Sequence, residues 1–369
     1  MKYEMSRPLP GDPLAGDWRG RVGTGRAGTG LPGGSGVVGF RTACLAPDLR
    51  RRVMSDAPCA QQSLDVGEPL FGTAVAGVER WLLLEHDGQW DREAIMTAGL
   101  PELARAHLNG FLGPDKATRF QLVRGEHLGR PDFPRRLFAV SGVEGHHFVR
   151  VVTLASWDEL LALDIGSLFA ETMPEVAKAH PPLVLVCTHG RRDVCCARLG
   201  VPVFRELAKD LVHEDAGIVF QTTHVGGHRF AANIVLLPHG YNYGRLDVAA
   251  ARRVVRGYLA DRLTDLDRLR GRSCYPVEVQ AAEYWVRQGA GRYGLGGLEL
   301  KRCELVAQAP DAARVEVTFW DADSDELHEL TVVRETTQDL ASPSCGDAVK
   351  PVVRHRLESY RHIPGAAHG

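Results

Sequence analysis

The stretch PPLVLVCTHGRRDVCCARLG, residues 181–200, predicts a buried strand followed by a turn and the start of a helix. Cys187 ends the apolar run, so its side chain is expected at the carboxyl edge of a sheet, where ligands gather in α/β folds. The turn returns the chain to Cys196 near the helix N-terminus, where backbone N–H groups and the helix dipole stabilise thiolates. The stretch therefore predicts an α/β fold with two cysteines at one sheet edge.

The segments that follow continue the alternation of strands and helices. One strand ends on His224, a second apolar run covers residues 230–240, and an amphipathic helix covers residues 246–263. Together with the opening stretch they give the order strand, helix, strand, strand, helix within residues 180–268. That order is typical of a thioredoxin-like domain.

The rest of the chain divides into three further regions. Residues 60–178 predict a second α/β module, which could be a degenerate copy of the first. Residues 274–369 predict a helix and a hairpin, a small α+β region without an evident role. Residues 1–53 are rich in Gly and Arg and predict a disordered extension, because they cannot bury enough apolar surface to fold. The predicted class is mixed α/β (α+β), with Met54 as a natural start of the folded part.

The overall composition excludes several classes of protein. Of 369 residues, 44% are hydrophobic and 24% are charged, as in an ordinary globular protein. A net charge of −2 gives no reason to expect nucleic acid or acidic lipid as a partner. No apolar run approaches the ~20 residues that span a membrane. Eight cysteines are too sparse for a disulfide scaffold, and no signal peptide precedes them, which predicts free thiols in the cytoplasm.

The histidine pair His224 and His228 adds two metal-ligand side chains to the two cysteines. Gly226 and Gly227 lie between the histidines and allow the backbone to fold tightly enough for both rings to face one point. The result is a four-ligand set at the ends of adjacent strands: Cys187, Cys196, His224 and His228. Two cysteines and two histidines suit a tetrahedral Zn²⁺ ion and equally suit a [2Fe–2S] cluster.

Three neighbours of the ligand set also have to be assigned. Arg192 and Asp193 are expected to pair and fix the cysteine loop, or Arg192 donates its N–H groups to cluster sulfurs and raises the potential. Cys195 lies next to Cys196. Spacing alone does not decide which of the two adjacent cysteines is a ligand.

The array C-x₈-C followed by H-x-G-G-H, in CTHGRRDVCC (187–196) and HVGGHRFAANIVLLPHGYNYGRL (224–246), resembles the sucrase/ferredoxin-like family. Members of that family carry a thioredoxin-like ferredoxin domain. The resemblance implies that Cys187 and Cys196 bind one iron of a [2Fe–2S] cluster, and that His224 and His228 bind the other, reducible iron. It also implies that Cys195 is not a ligand. The resemblance covers residues 65–265.

These observations predict a cytoplasmic [2Fe–2S] protein of one-electron transfer or redox homeostasis, in which the imidazoles could couple proton uptake to reduction. Its electron donor and acceptor proteins are not identified by the sequence. Two alternatives stay open, a thiol–disulfide oxidoreductase that uses Cys187 with Cys196 and a module with structural zinc. The first lacks the C-x-x-C of thioredoxins. No carboxylate pair is spaced for glycoside cleavage, so a glycosidase is not expected.

Overall fold

The computed structural model of the protein describes residues 57–93, 99–112, 117–125, 134–211 and 218–365. The predicted extension at residues 1–53 lies outside these ranges. The described residues form two β-sheets and six α-helices, so the mixed α/β class predicted from the sequence is confirmed. None of the helices in these ranges is both long enough and apolar enough to cross a membrane.

The first part of the chain begins with a short helix and then forms a β-α-β-β-β-α unit. The helix is α1 (Cys59–Asp65). The unit consists of β1 (Arg80–Glu85), α2 (Glu102–Leu112), β2 (Thr118–Arg124), β3 (Arg135–Ser141), β4 (Phe148–Leu154) and α3 (Trp157–Ala162), and the two-residue strand β5 (Lys178–Ala179) follows it.

A second unit of the same kind follows. It consists of β6 (Leu183–Cys187), α4 (Val194–Leu211), β7 (Val219–Thr222), β8 (Ile234–Leu237), β9 (Tyr241–Tyr243) and α5 (Val248–Leu259), and strand β10 (Leu269–Arg272) pairs with β9. The strands β9 and β10 have only three and four residues, YNY and LRGR, and neither contains the apolar run or the alternation that identifies a strand in a sequence. The sequence analysis therefore missed both.

The two units share one ten-stranded sheet, in the order β10-β9-β8-β6-β7-β2-β1-β3-β4-β5. The order β2-β1-β3-β4 in the first unit repeats as β7-β6-β8-β9 in the second, and in both the first two strands are parallel. The corresponding strands β2 and β7 pair antiparallel and join the units. The first module therefore has the same topology as the second and continues its sheet.

The C-terminal part adds a helix and a second sheet. Helix α6 (Val277–Ala290) precedes four antiparallel strands, β11 (Leu298–Ala309), β12 (Ala312–Asp321), β13 (Glu326–Ala341) and β14 (Lys350–Ile363). The helix buries Val279, Ala282 and Val286 against apolar side chains of these strands. The helix and the β12–β13 hairpin agree with the helix and hairpin expected from the sequence, to which the structure adds β11 and β14.

The position of the cysteine pair depends on how closely α4 approaches β6. All five residues of β6 are buried, as expected for a central strand covered on both faces. Helix α4 packs its apolar side on the sheet through Val203, Phe204 and Leu207. At Gly200 an added Cβ would lie 2.1 Å from the carbonyl oxygen of Cys187. Only glycine allows this approach, which brings the start of α4 beside the end of β6.

Candidate metal centre

The structure brings the four predicted ligands to one place. Cys187 is the last residue of β6 and Cys196 lies in the first turn of α4. His224 follows β7, and His228 opens the 3₁₀ turn His228–Phe230. Ligand atoms of Cys187, Cys196 and His224 all lie within 4.8 Å of one another. The Cys196 Sγ atom is 3.6 Å from Nδ1 of His228, and the two histidine rings stack with their centroids 3.7 Å apart.

The glycine pair produces the turn that places both histidines at the site. Gly226 and Gly227 adopt φ angles of 96° and 72°, in the region that favours glycine. A Cβ at Gly227 would also lie 2.4 Å from Nη2 of Arg270. Any larger residue there would displace a buried guanidinium. The two glycines of H-x-G-G-H are therefore required by the turn conformation and by the contact with Arg270, in addition to the spacing that the two histidine ligands need.

A hydrogen bond links the two cysteine side chains and shifts their pKa values in opposite directions. The hydrogen bond from the Cys196 thiol is the largest effect on Cys187 and, together with the His224 ring, lowers the pKa of Cys187 well below its ordinary value. The same hydrogen bond, burial and the charge of Cys187 raise the pKa of Cys196. Burial, followed by the charge of His224, lowers the pKa of His228 to about 4. A metal bound here would take both sulfurs as thiolates, so its binding would release the proton that the hydrogen-bonded pair holds between them.

Two arginines hold the histidine loop from outside the ligand set. Arg119 of β2 donates from Nη2 to the backbone oxygen of His224 at 2.7 Å, and Arg270 of β10 donates from Nη1 to the oxygen of Gly226 at 3.0 Å. Burial lowers the pKa of Arg119 to about 10 and that of Arg270 to about 9, so both remain charged at neutral pH. The sequence analysis missed both, because each lies in a strand that approaches the site only through the tertiary fold.

Asp193 and Arg192 do not form the predicted pair among the described contacts. The Asp193 carboxylate accepts hydrogen bonds from the backbone N–H groups of Cys195 and Cys345 and from the hydroxyl of Ser344. The bond from Cys195 caps α4 at its second N–H group, which a carboxylate one residue before the helix does well. Asp193 therefore fixes the cysteine loop as expected, with different partners.

Other side chains near the motif have supporting positions. His189 accepts a hydrogen bond at Nδ1 from the backbone N–H of His224 at 3.3 Å, and its Nε2 lies 2.8 Å from the carbonyl oxygen of Asp91. His239 lies beside His147, remote from the ligand set in the contacts described, with its Nδ1 2.8 Å from the hydroxyl of Tyr258. The sulfur of Cys195 turns away from Cys196 and lies against other cysteines.

Comparison with known proteins gives a family but no solved relative. The family model for sucrase/ferredoxin-like proteins matches residues 71–271. Three curated yeast proteins, each named "Altered inheritance of mitochondria protein 32", are similar over short segments. The match to the Meyerozyma guilliermondii protein is 35% identical over 95 residues and covers 24% of this chain and 34% of the relative. The match to the Clavispora lusitaniae protein is 33% identical over 84 residues and covers 21% of this chain and 30% of the relative. The match to the Debaryomyces hansenii protein is 38% identical over 60 residues and covers 15% of this chain and 21% of the relative. The chain thus spans about a third or less of these relatives, and no solved structure matches it.

Proposed function

The chain belongs to the sucrase/ferredoxin-like family, and on that premise we propose that it is a [2Fe–2S] protein of one-electron transfer. In this proposal Cys187 and Cys196 bind one iron, and His224 and His228 bind the other. The observation that carries the proposal is the convergence of these four side chains, three of them with ligand atoms within 4.8 Å of one another.

The donor set fits such a cluster in its chemistry and in its grouping. Thiolates and neutral imidazoles are both established ligands of [2Fe–2S] centres. The two sulfurs share a hydrogen bond, and the two histidine rings stack on each other. The cysteines are thus paired and the histidines are paired, which suits a cluster with one cysteine-bound and one histidine-bound iron, while the Cys196 sulfur also lies 3.6 Å from Nδ1 of His228. The bound cluster would supply a one-electron acceptor, which no side chain of this chain can replace.

The burial of the ligands and the charges around them determine how the site can exchange an electron. Cys187, Cys196 and His228 are buried, whereas His224 is partly exposed and lies on the side from which a redox partner can approach. Neutral imidazoles replace two anionic thiolates, and Arg119 and Arg270 add fixed positive charge. Both effects favour uptake of an electron. The expected potential is therefore about −150 to +300 mV, above the roughly −400 mV of plant-type ferredoxins.

A thiol–disulfide oxidoreductase is the second candidate, because the lowered pKa of Cys187 beside a thiol is typical of an attacking cysteine. Complete burial of Cys187 and Cys196 argues against it, because a disulfide substrate has to reach the sulfur. A single zinc ion is the third candidate, since two cysteines and two histidines also satisfy tetrahedral zinc.

We propose unidentified donor and acceptor proteins as partners. We propose the cytoplasm as location, because every cysteine that the structure describes is a free thiol.

The deciding experiment is iron and acid-labile sulfide analysis of the full chain purified without oxygen, with EPR of the dithionite-reduced protein. We expect a red-brown protein with iron and sulfide in equal amounts and a reduced-cluster EPR signal. The variant His228→Cys should retain a cluster of lower potential, because a thiolate adds negative charge. Cys303→Ser, a change at an exposed cysteine of β11, is the matched control and should be unchanged. A colourless protein, or a His228→Cys potential equal to that of the wild type, would refute the proposal.

A further inference from the structure

Three cysteines that are far apart in the sequence meet beside the candidate metal centre. Cys59 opens α1, Cys195 lies in the first turn of α4, and Cys345 lies in the loop between β13 and β14. Their sulfur atoms are 3.7 Å apart for Cys59 and Cys195, 3.4 Å for Cys195 and Cys345, and 3.6 Å for Cys345 and Cys59. None of the three belongs to the ligand set described above.

A carboxylate completes this group. The two oxygens of Asp193 lie 3.6 Å and 3.8 Å from the Cys59 sulfur, and ligand atoms of all four residues lie within 4.8 Å of one another. Apart from the Cys59 thiol, Oδ2 of Asp193 accepts two hydrogen bonds and Oδ1 accepts one, from the backbone N–H of Cys195, so Oδ1 has a lone pair for a metal once the Cys59 thiol has lost its proton. Carboxylates that bind metals are held by hydrogen bonds in this way.

The spacing of the sulfurs matches a metal site better than a disulfide. In a tetrahedral zinc site with Zn–S bonds of about 2.3 Å, two sulfurs lie about 3.8 Å apart, and a sulfur and a carboxylate oxygen lie about 3.5 Å apart. The observed separations of 3.4–3.7 Å between sulfurs and 3.6–3.8 Å from sulfur to oxygen are close to these values. A disulfide would need a pair at about 2.05 Å.

We propose that Cys59, Cys195, Cys345 and Asp193 form a second metal site, which binds one Zn²⁺ ion in tetrahedral coordination. Three thiolates and one carboxylate, with no position left for a substrate, are the ligands of a closed structural zinc site. The three thiols release their protons to solvent as the ion binds. Cys59 and Cys195 are at most 2% exposed and Asp193 is 4% exposed, so the ion would be held away from water.

The surrounding contacts hold the three cysteine-bearing segments together before any ion binds. The backbone N–H of Ser342 donates to Gln62 of α1 at 3.0 Å, which ties the helix to the β13–β14 loop. The Asp193 carboxylate, directly before α4, accepts hydrogen bonds from the backbone N–H of Cys345 at 2.7 Å and from the Ser344 hydroxyl at 2.8 Å, which ties the start of α4 to the same loop. The ligands are thus arranged in advance, which lowers the entropy lost on binding.

The site gives the C-terminal region a role at the metal centre. Asp193 and Cys195 directly precede Cys196 in the sequence. A zinc ion bound to them would therefore hold the backbone of Cys196 in position without contacting its side chain. Cys345 supplies the only ligand from the C-terminal sheet region among the four. Zinc here would therefore connect α1, the start of α4 and the β13–β14 loop. The geometry of this second site is independent of the first site's cofactor, whereas the zinc content expected below rests on the proposed function, in which the first site holds an iron cluster.

The test is the zinc content of the full chain, purified under reducing conditions from cells supplied with zinc and iron. We expect one zinc ion per chain in the wild type and in the control Cys303→Ser, and a fall to background in Cys345→Ser. His224→Ala should lose iron and keep its zinc. Loss of zinc in His224→Ala, or retention of zinc in Cys345→Ser, would overturn the proposal.

A second measurement covers the case in which Cys345→Ser does not fold. The wild-type chain, stripped with a chelator under reducing conditions, is titrated with Co²⁺ alone, which absorbs strongly when thiolates bind it. We expect a thiolate-to-cobalt band in the double variant Cys187→Ser, Cys196→Ser, in which the first site has no thiolate left; the band should saturate at one ion per chain and be reversed by Zn²⁺. Absence of that band would refute the site. So would a mass two hydrogens lower in the protein before reduction, which would show a disulfide within the cysteine group.

Discussion

Substitution of Gly200 by Ala tests whether the contact between α4 and β6 sets the position of Cys187. A Cβ built on Gly200 lies 2.1 Å from the carbonyl oxygen of Cys187 and 3.2 Å from the carbonyl carbon, whereas Cβ atoms in proteins do not come within 3.0 Å of another heavy atom. The obstacle is backbone, so no side-chain rotation relieves it. The helix or the strand end has to move, and the Cys187 sulfur moves with it.

Two opposing effects decide the magnitude. Replacing Gly by Ala inside a helix gains about 0.5–1 kcal/mol, because it reduces the entropy of the unfolded chain. Forcing an extra methyl group into a packed contact costs about 1–3 kcal/mol. Because the contact here is with backbone, we take the upper half of that range and expect the free energy of unfolding to fall by about 1–2.5 kcal/mol.

The matched control is Gly110→Ala in α2, the corresponding helix of the first unit. A Cβ at Gly110 meets nothing within 4 Å. Without a steric cost only the entropic gain of the Gly→Ala change remains, so we expect this variant to be more stable than the wild type by about 0.5–1 kcal/mol. Urea unfolding of the full-length variants, followed by circular dichroism, measures both changes. A Gly200→Ala variant as stable as Gly110→Ala would refute the reasoning.

Three further predictions follow from charge, burial and composition. Arg119→Gln keeps a donor for the backbone of His224 but removes a fixed charge, so the redox potential should fall by on the order of tens of millivolts, and exposed Arg205→Gln should leave it unchanged. Burial lowers the pKa of His355 to about 4, so its contribution to stability is complete above the unfolded pKa of about 6.5 and is lost as pH falls towards 4. The urea midpoint should therefore fall on acidification, and less in His355→Asn; an equal fall would contradict this. A chain without residues 1–53 should keep its metal content and melting temperature, because that composition cannot build a core, and a large loss of either would disprove it.

Local patterns in the sequence were enough to find the main elements and to select four candidate ligands that the fold brings together. The apolar run of β6 and the helical periodicity of α4 are properties of neighbouring residues, and burial imposes them directly. The short spacing between His224 and His228 likewise fixes their proximity, because two glycines turn the backbone between them. Such features are predicted by the sequence because the interactions behind them are local.

The tertiary structure alone decided which distant residues surround the site. Strands β2 and β7 join through only two residue pairs of an antiparallel ladder, and backbone hydrogen bonds of that kind leave almost no signature in side chains. Arg119 reaches His224 across that junction. In the sequence, Cys59 and Cys345 each look like an isolated small apolar residue, and Cys195 is notable only as the neighbour of Cys196. They become a possible metal site only when the chain topology brings α1 and the β13–β14 loop to the start of α4, because their contacts join residues more than 130 positions apart.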